Sequence, residues 1–177
     1  MHKPLVSIIM NCHNGEKYLN QSISSILNQS YKNWELIFFD NNSNDKSKFI
    51  LKKYKDKRIK YFKTKKIHAL YKARNLAVKK STGELVSFLD VDDWWLKDKL
   101  KKQVNFFLKD RKIDATYSNL YLYYENIRKK KIWIKDKIKN VNITQKLINK
   151  FQMPILTKII KKNIFKKMRF DNRYTII

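Results

Sequence analysis

The chain has 177 residues, 43% of them hydrophobic, which is enough for one ordinary domain with a core and excludes wholesale disorder. Its 41 basic and 15 acidic residues give a net charge of +26, so it is either drawn to polyanions such as nucleic acid, anionic lipid and phosphorylated substrates, or carries its lysines on solvated faces. One cysteine, Cys12, excludes an internal disulfide, and with no signal peptide and no run of ~18 apolar residues the expectation is a cytoplasmic protein, soluble or peripheral.

The run LVSIIM (5–10) is β-branched and apolar and predicts a buried strand. NCHNGEK follows as a loop. Leu19, Ile23, Ile26 and Leu27 then recur at helical spacing, which predicts a helix over 16–29. WELIFFD (34–40) is a second strand ending at Asp40, and NNSND is turn and cap chemistry. A short helix is expected next, with Phe49, Ile50 and Tyr54 inward. RIKYF (58–62) is a third strand. IHALYKARNLAVKK is helical, with Leu70, Ala73 and Ala77 on one face, and STG closes it with Gly83 suited to a left-handed terminal position. ELVSFLD (84–90) is the fourth strand. The next helix puts Leu96, Leu100, Val104 and either Phe107 or Leu108 in register.

Strand alternating with helix implies an α/β domain with a parallel sheet and right-handed crossovers. In such sheets ligands sit beyond the carboxyl ends of the strands, where strand order reverses. The loops there are NCHNG, DNNSND and DVDDWW, the polar ones. In an extended continuation of strand four, Asp90 and Asp92 point to one side and Asp93 to the other. Two converging carboxylates suit Mg²⁺ or Mn²⁺, which take one or two protein carboxylates and complete their shell with water and substrate phosphate. The alternative is lysine pairing, with Asp92 or Asp93 capping a helix that begins near Trp94 or Leu96. Trp94 and Trp95 read first as packing residues and second as aromatic platforms for a ligand. Past residue 112 the pattern changes: DATYSNLYLYYEN alternates like a strand, IRKKKIWIK is its hairpin partner, ITQKLINKF is a short helix, and residues 153–177 hold apolar segments without a clear period.

These pieces together resemble glycosyltransferase family 2. The resemblance covers roughly residues 4–120 well and the remainder loosely. PLVSIIMNCHNGEKYLNQSISSILNQSYKNWELIFFDNNSND is similar to the family's opening strand, loop, helix and second strand. ALYKARNLAVKKSTGELVSFLDVDDWW is similar to its Ala-Arg-Asn helix and Asp-x-Asp strand end. The resemblance implies the GT-A fold, a Rossmann-like three-layer α/β fold with a mainly parallel central sheet. It implies a single domain over 1–177, with about 1–112 as the nucleotide-sugar-binding half and 113–177 as the start of an acceptor-binding half that is incomplete.

The same resemblance implies inverting, metal-dependent transfer from a nucleoside diphosphate sugar, UDP-type by preference, to a glycan or lipid-linked acceptor in envelope polysaccharide synthesis. The expected place is the inner face of the cytoplasmic membrane, with no specific nucleic acid partner. Asp90 and Asp92 match Asp-x-Asp, with Asp92 the direct ligand of Mn²⁺ or Mg²⁺, while Asp93 bonds the ribose or caps the next helix. Asp40 and Asn41 match an acidic pair whose second member contacts the base. Here that member is an amide, with donors a carboxylate lacks, which leaves the base open. Arg74 and Asn75 match an Arg-Asn pair that reaches toward the nucleotide. Asn11, His13 and Asn14 line the first loop, where the family often has Pro-x-Tyr-Asn; the proline and tyrosine are missing here.

The family's usual base is an acidic residue shortly after an FDxxY stretch, and this chain reaches MRFDNRYTII. Asp114, Glu125, Asp136 and Asp171 are the acids of residues 113–177, with Asp171 and Glu125 as fallback candidates. The expectation is therefore slow or no turnover by the 177-residue chain. Three alternatives are a non-catalytic nucleotide-sugar-binding remnant, half of a split enzyme, and a basic nucleic-acid-binding protein. A nucleotidyltransferase fits poorly, because NCHNGEK has one glycine where a triphosphate-cradling loop needs several.

Overall fold

The computed structural model describes residues 2–133 and 154–171. Four parallel strands form the centre: β1 (Val6–Cys12), β2 (Trp34–Asp40), β3 (Ile59–Lys63) and β4 (Leu85–Phe88). β5 (Ala115–Tyr117) and β8 (Lys158–Lys161) extend the sheet, whose order is β3-β2-β1-β4-β8-β5. β8 pairs antiparallel with both β4 and β5. β1, β2 and β4 are buried along their whole length apart from Asn11, as expected for strands covered on both faces.

Alternation along β1 sends Val6, Ile8 and Met10 to one side and Ile9 to the other. On the first side they meet α1 (Leu19–Leu27) through Leu19, Ile23 and Ile26, α2 (Ser47–Lys52) through Leu51, and α4 (Lys99–Lys109) through Leu100, Val104 and Phe107. On the second, Ile9, Ile37 and Phe88 meet α3 (Leu70–Lys80) through Ala73, Ala77 and Val78. A four-residue helix, α5 (Ile164–Lys167), follows β8 and brings Phe165 to the same side. The result is three layers, helix on sheet on helix.

Several expectations shift in detail. Phe49, Leu70 and Leu96 are exposed rather than inward, and α4 uses Phe107 and not Leu108. Leu96 precedes α4, which starts three residues later. Residues 114–126 do not form one strand: β5 ends at Tyr117, and β6 (Tyr121–Tyr124) pairs instead with β7 (Lys129–Ile132) as a separate hairpin. The strand in the aperiodic C-terminal stretch, β8, carries a fully buried Ile159. The helix expected over 143–151 lies outside the described residues.

Gly83 is needed for a reason other than backbone handedness. Its φ is not positive, and α3 ends with Ser81 in extended backbone. A Cβ at Gly83 would lie 2.5 Å from the Leu5 carbonyl oxygen and 2.8 Å from the Ser7 nitrogen. The turn into β4 runs so close to β1 that no side chain fits.

Candidate functional site

The chain winds β1, β2, β3 outward and then returns to place β4 on the other side of β1. Strand order thus reverses between β1 and β4, and the crevice at their carboxyl ends is the expected ligand position. The polar loops after β1, β2 and β4 converge there. Gly15 shows how closely: a Cβ on it would stand 3.0 Å from Cys12 Sγ and 3.2 Å from Val91 Cβ.

The first loop is held by the second. Asn14 takes a left-handed φ of 55°, its N–H donates to Ser43 Oγ and its Oδ1 accepts from the Asn44 N–H. The Gly15 N–H donates to Ser47 Oγ at 2.9 Å, and His13 donates from Nδ1 to the Asn41 carbonyl at 3.1 Å. The buried Nδ2 of Asn11 has no partner among the described residues. Burial pushes the Cys12 thiol up, so it is an inert packing group.

At the end of β2, Asp40 is fully buried. Its Oδ1 accepts from the Ser43 N–H at 2.6 Å and its Oδ2 from the Tyr61 hydroxyl at 2.7 Å. Burial, then the Asp40 carboxylate, raises the Tyr61 phenol, which therefore stays a donor. Asp40 ties β2 to β3 and shapes the loop. Asn41 forms a two-bond ring with the backbone of His68: its Nδ2 donates to the carbonyl at 2.7 Å and its Oδ1 accepts from the N–H at 2.9 Å. Both ends of its amide are thus engaged in holding the approach to α3.

At the end of β4 the backbone turns instead of continuing extended, with the Asp93 N–H donating to the Asp90 carbonyl at 3.2 Å. The expected two-sided projection of the aspartates therefore gives way to a turn. Helix α4 starts at Lys99 with Asp98 before it, so neither Asp92 nor Asp93 caps it. Among the described residues a positive group meets these carboxylates at Arg74 on α3, whose guanidinium lies 3.1 Å from Asp90 and is mostly buried. Asp92 is exposed. Burial pushes the Asp93 carboxyl up to about 6, and the neighbouring Asp92 and Asp90 add to the rise.

Asn75 forms a ring like that of Asn41. Its Nδ2 donates to the Phe170 carbonyl at 2.8 Å and its Oδ1 accepts from the Phe170 N–H. The Phe170 ring lies 5.8 Å from the Arg74 guanidinium and edge-on to Phe88. Asp171 follows, lining an open cavity of about 500 Å³ with Tyr71, Lys166, Lys167 and Arg169. Trp95 is buried, and its Nε1–H donates to the Leu156 carbonyl, a packing role. Trp94 is partly exposed and meets the Tyr123 ring edge-on at 5.4 Å. Glu125, at the hairpin turn, pairs with Lys17 of the first loop at 3.7 Å.

The structure therefore brings Asn11, His13, Asn14, Asp40, Asn41, Arg74, Asn75, Asp90, Asp92 and Asp93 to one end of the sheet. Tyr61, His68 and Phe170, which fix Asp40, Asn41 and Asn75, carry no local sequence signal. Their partners lie from 21 to 95 positions away along the chain.

The model of Glycosyl transferase family 2 matches residues 7–170. An uncharacterized glycosyltransferase of Haemophilus influenzae is 39% identical over 97% of this chain and 68% of its own length. The Escherichia coli protein WfgD, a UDP-Glc:alpha-D-GlcNAc-diphosphoundecaprenol beta-1,3-glucosyltransferase, is 35% identical over 87% of this chain and 66% of its own. S. aureus TarS 1–349, solved in complex with UDP-GlcNAc, superposes with a TM-score of 0.72 at 23% identity, covering 92% of this chain and 46% of that one. The fold is thus that of GT-A proteins such as TarS. The chain spans about two thirds of the length of the two relatives and about half of TarS 1–349.

Proposed function

We propose, from the premise that this chain belongs to glycosyltransferase family 2, that it transfers a sugar from a nucleoside diphosphate sugar to a lipid-linked or glycan acceptor with inversion at the anomeric carbon. The observation that carries this is the Asp90–Asp93 turn at the reversal of strand order, with Arg74 beside it. The E. coli relative's name gives a UDP-sugar donor and a diphosphoundecaprenol-linked acceptor, which supports a UDP-type donor here.

Among the described residues no group of three or more His, Cys, Asp or Glu forms an all-protein metal cage. Asp92 with Asp90 is instead the donor set suited to an ion that keeps water and phosphate oxygens in its shell. Asp92 is the ligand that stands free of Arg74, and Asp90 the one Arg74 orients. Mn²⁺ or Mg²⁺ held there supplies positive charge to the donor diphosphate. In the displacement an acceptor hydroxyl oxygen bonds the anomeric carbon while the bond to the diphosphate breaks, its electron pair leaving with the diphosphate. The hydroxyl proton passes to a carboxylate on the opposite face of the sugar. Place of action, on this reading, is the inner surface of the cytoplasmic membrane; among the described residues no helix is long and apolar enough to cross a membrane.

Calorimetry with UDP and Mn²⁺ tests the donor half: binding is expected for the parent chain and lost in Asp92→Ala. Unchanged affinity in a folded variant removes Asp92 as a ligand. Among the described acids after residue 113, Glu125 pairs with Lys17 of the first loop and Asp171 follows Phe170, whose ring flanks Arg74. Slow or no turnover is expected of the 177-residue chain; robust metal-dependent transfer by it would mean a base lies within it, and a further loss of ~10²–10⁴-fold in Glu125→Gln or Asp171→Asn, with UDP binding intact, would mark that residue as the base. Unchanged turnover in both excludes them.

A further inference from the structure

The β6–β7 hairpin stands apart from the six-stranded sheet. Apart from Leu122, every residue from 121 to 133 is exposed. A two-stranded hairpin alone is marginal in water and gains stability when a face is covered. Its pairing opposes Tyr121 to Ile132, Leu122 to Lys131, Tyr123 to Lys130 and Tyr124 to Lys129. Directly opposed residues share a face. One face therefore carries Tyr121 and Tyr123, and Tyr123 meets Trp94 at the rim of the crevice. The other carries Leu122, Tyr124, Lys129 and Lys131, and alternation adds Trp133, whose N–H donates to the Leu120 carbonyl. Tyr124 and Trp133 are each 46% exposed. Arg128 occupies the turn, in left-handed backbone.

We infer that this second face docks on an anionic lipid bilayer. Aromatic rings with a polar edge favour the headgroup level, and lysines between them meet anionic headgroups. The charge is complementary: Lys129 and Lys131 lie on this face with Arg128 at the turn beside them, and Glu125, the acid of the hairpin, is turned to Lys17. The first face stays with the crevice while the second meets lipid, so the hairpin sets the crevice mouth at the surface. This deepens the proposed function and rests on it for the reason a membrane is useful: the acceptor is lipid-linked.

The test is sedimentation of the 177-residue chain with phosphatidylglycerol/phosphatidylcholine vesicles. Each lysine near an anionic surface contributes enough that Lys129→Gln with Lys131→Gln should weaken binding roughly tenfold to thirtyfold. Tyr124→Ser with Trp133→Ser should also weaken it, and more visibly at high salt. Because the whole chain is basic, Lys53→Gln with Lys55→Gln serves as control and should change binding less than about threefold. Equal losses in the hairpin and control lysine pairs, or no effect of the aromatic pair, would overturn the inference. So would a hairpin-lysine loss seen with an RNA duplex and not with vesicles. UDP calorimetry on the same variants checks that they fold. Neither donor nor acceptor enters the vesicle measurement, so failed UDP binding by the parent chain counts against the proposed transfer reaction and not against docking.

Discussion

Asn41 shows how one side chain determines what a site can read. Where the family resemblance puts an acid, the amide supplies both a donor and an acceptor, and the structure uses both on His68. Aspartate at this position would set a carboxylate oxygen against the His68 carbonyl, two acceptors facing each other. Leaving such buried groups unpaired costs about 1–3 kcal/mol. Asn41→Asp is therefore expected to loosen the segment before α3 and weaken UDP binding, with the ranking of UDP, dTDP, GDP and CDP altered. Identical ranking and affinity in calorimetry would separate Asn41 from base choice. The same logic applies at Asn75, whose ring with Phe170 holds the aromatic that flanks Arg74. Asn75→Asp sets a carboxylate oxygen against the Phe170 carbonyl and should lower UDP affinity in calorimetry.

At the scale of elements, the turn between α3 and β4 governs where the aspartates arrive. β4 is four residues long, so a displacement at its start is carried to Asp90. Gly83→Ala would force its Cβ against the Leu5 carbonyl and the Ser7 backbone. Overpacking against backbone costs about 1–3 kcal/mol. Thermal unfolding should show a lowered midpoint, and UDP affinity should fall with it. An unchanged midpoint would mean that β1 yields at this point. Close approach, rather than the left-handed backbone expected of a glycine after a helix, is what constrains this position.

For the whole molecule, an excess of basic charge makes each buried carboxylate valuable. Glu35 sits at the end of the sheet opposite the crevice, buried. Its carboxylate accepts from Ser7 Oγ, the Thr82 N–H and hydroxyl, and pairs with Lys60 at 2.6 Å. Burial alone would raise its pKa, but Lys60, Ser7 and Thr82 together outweigh it and hold the carboxyl at about 2, against 4.5 ordinarily. With the folded value below the unfolded one, the stabilisation is fully present above about pH 4.5 and is lost as pH falls toward 2. Its size is on the order of 2–3 kcal/mol once the partial exposure of Lys60 is allowed for. Urea unfolding of the parent chain and of Glu35→Gln should differ by about that amount at pH 7. The difference should shrink steadily between pH 5 and pH 2. A gap independent of pH would assign the effect to shape and not to charge.

The sequence alone determined the layered parallel architecture, because buried strands, amphipathic helices and polar loops are local patterns with their own periods. Val6–Cys12, Trp34–Asp40 and Leu85–Phe88 stand within about two residues of the runs that predict them. The aspartates after β4 were legible for the same reason, since charge at the end of an apolar run is visible without any fold. Tertiary structure decided the rest. Strand β8 enters the sheet beside β4 although its segment has no period, because Ile159 is buried by neighbours distant in sequence. The turn at Asp90–Asp93, the Arg74–Asp90 pair and the Asn75–Phe170 ring likewise need groups that no local pattern brings together. Periodicity reports which face of an element is buried; it carries no information on which distant backbone or charge will meet that face, and that meeting is what shapes the crevice.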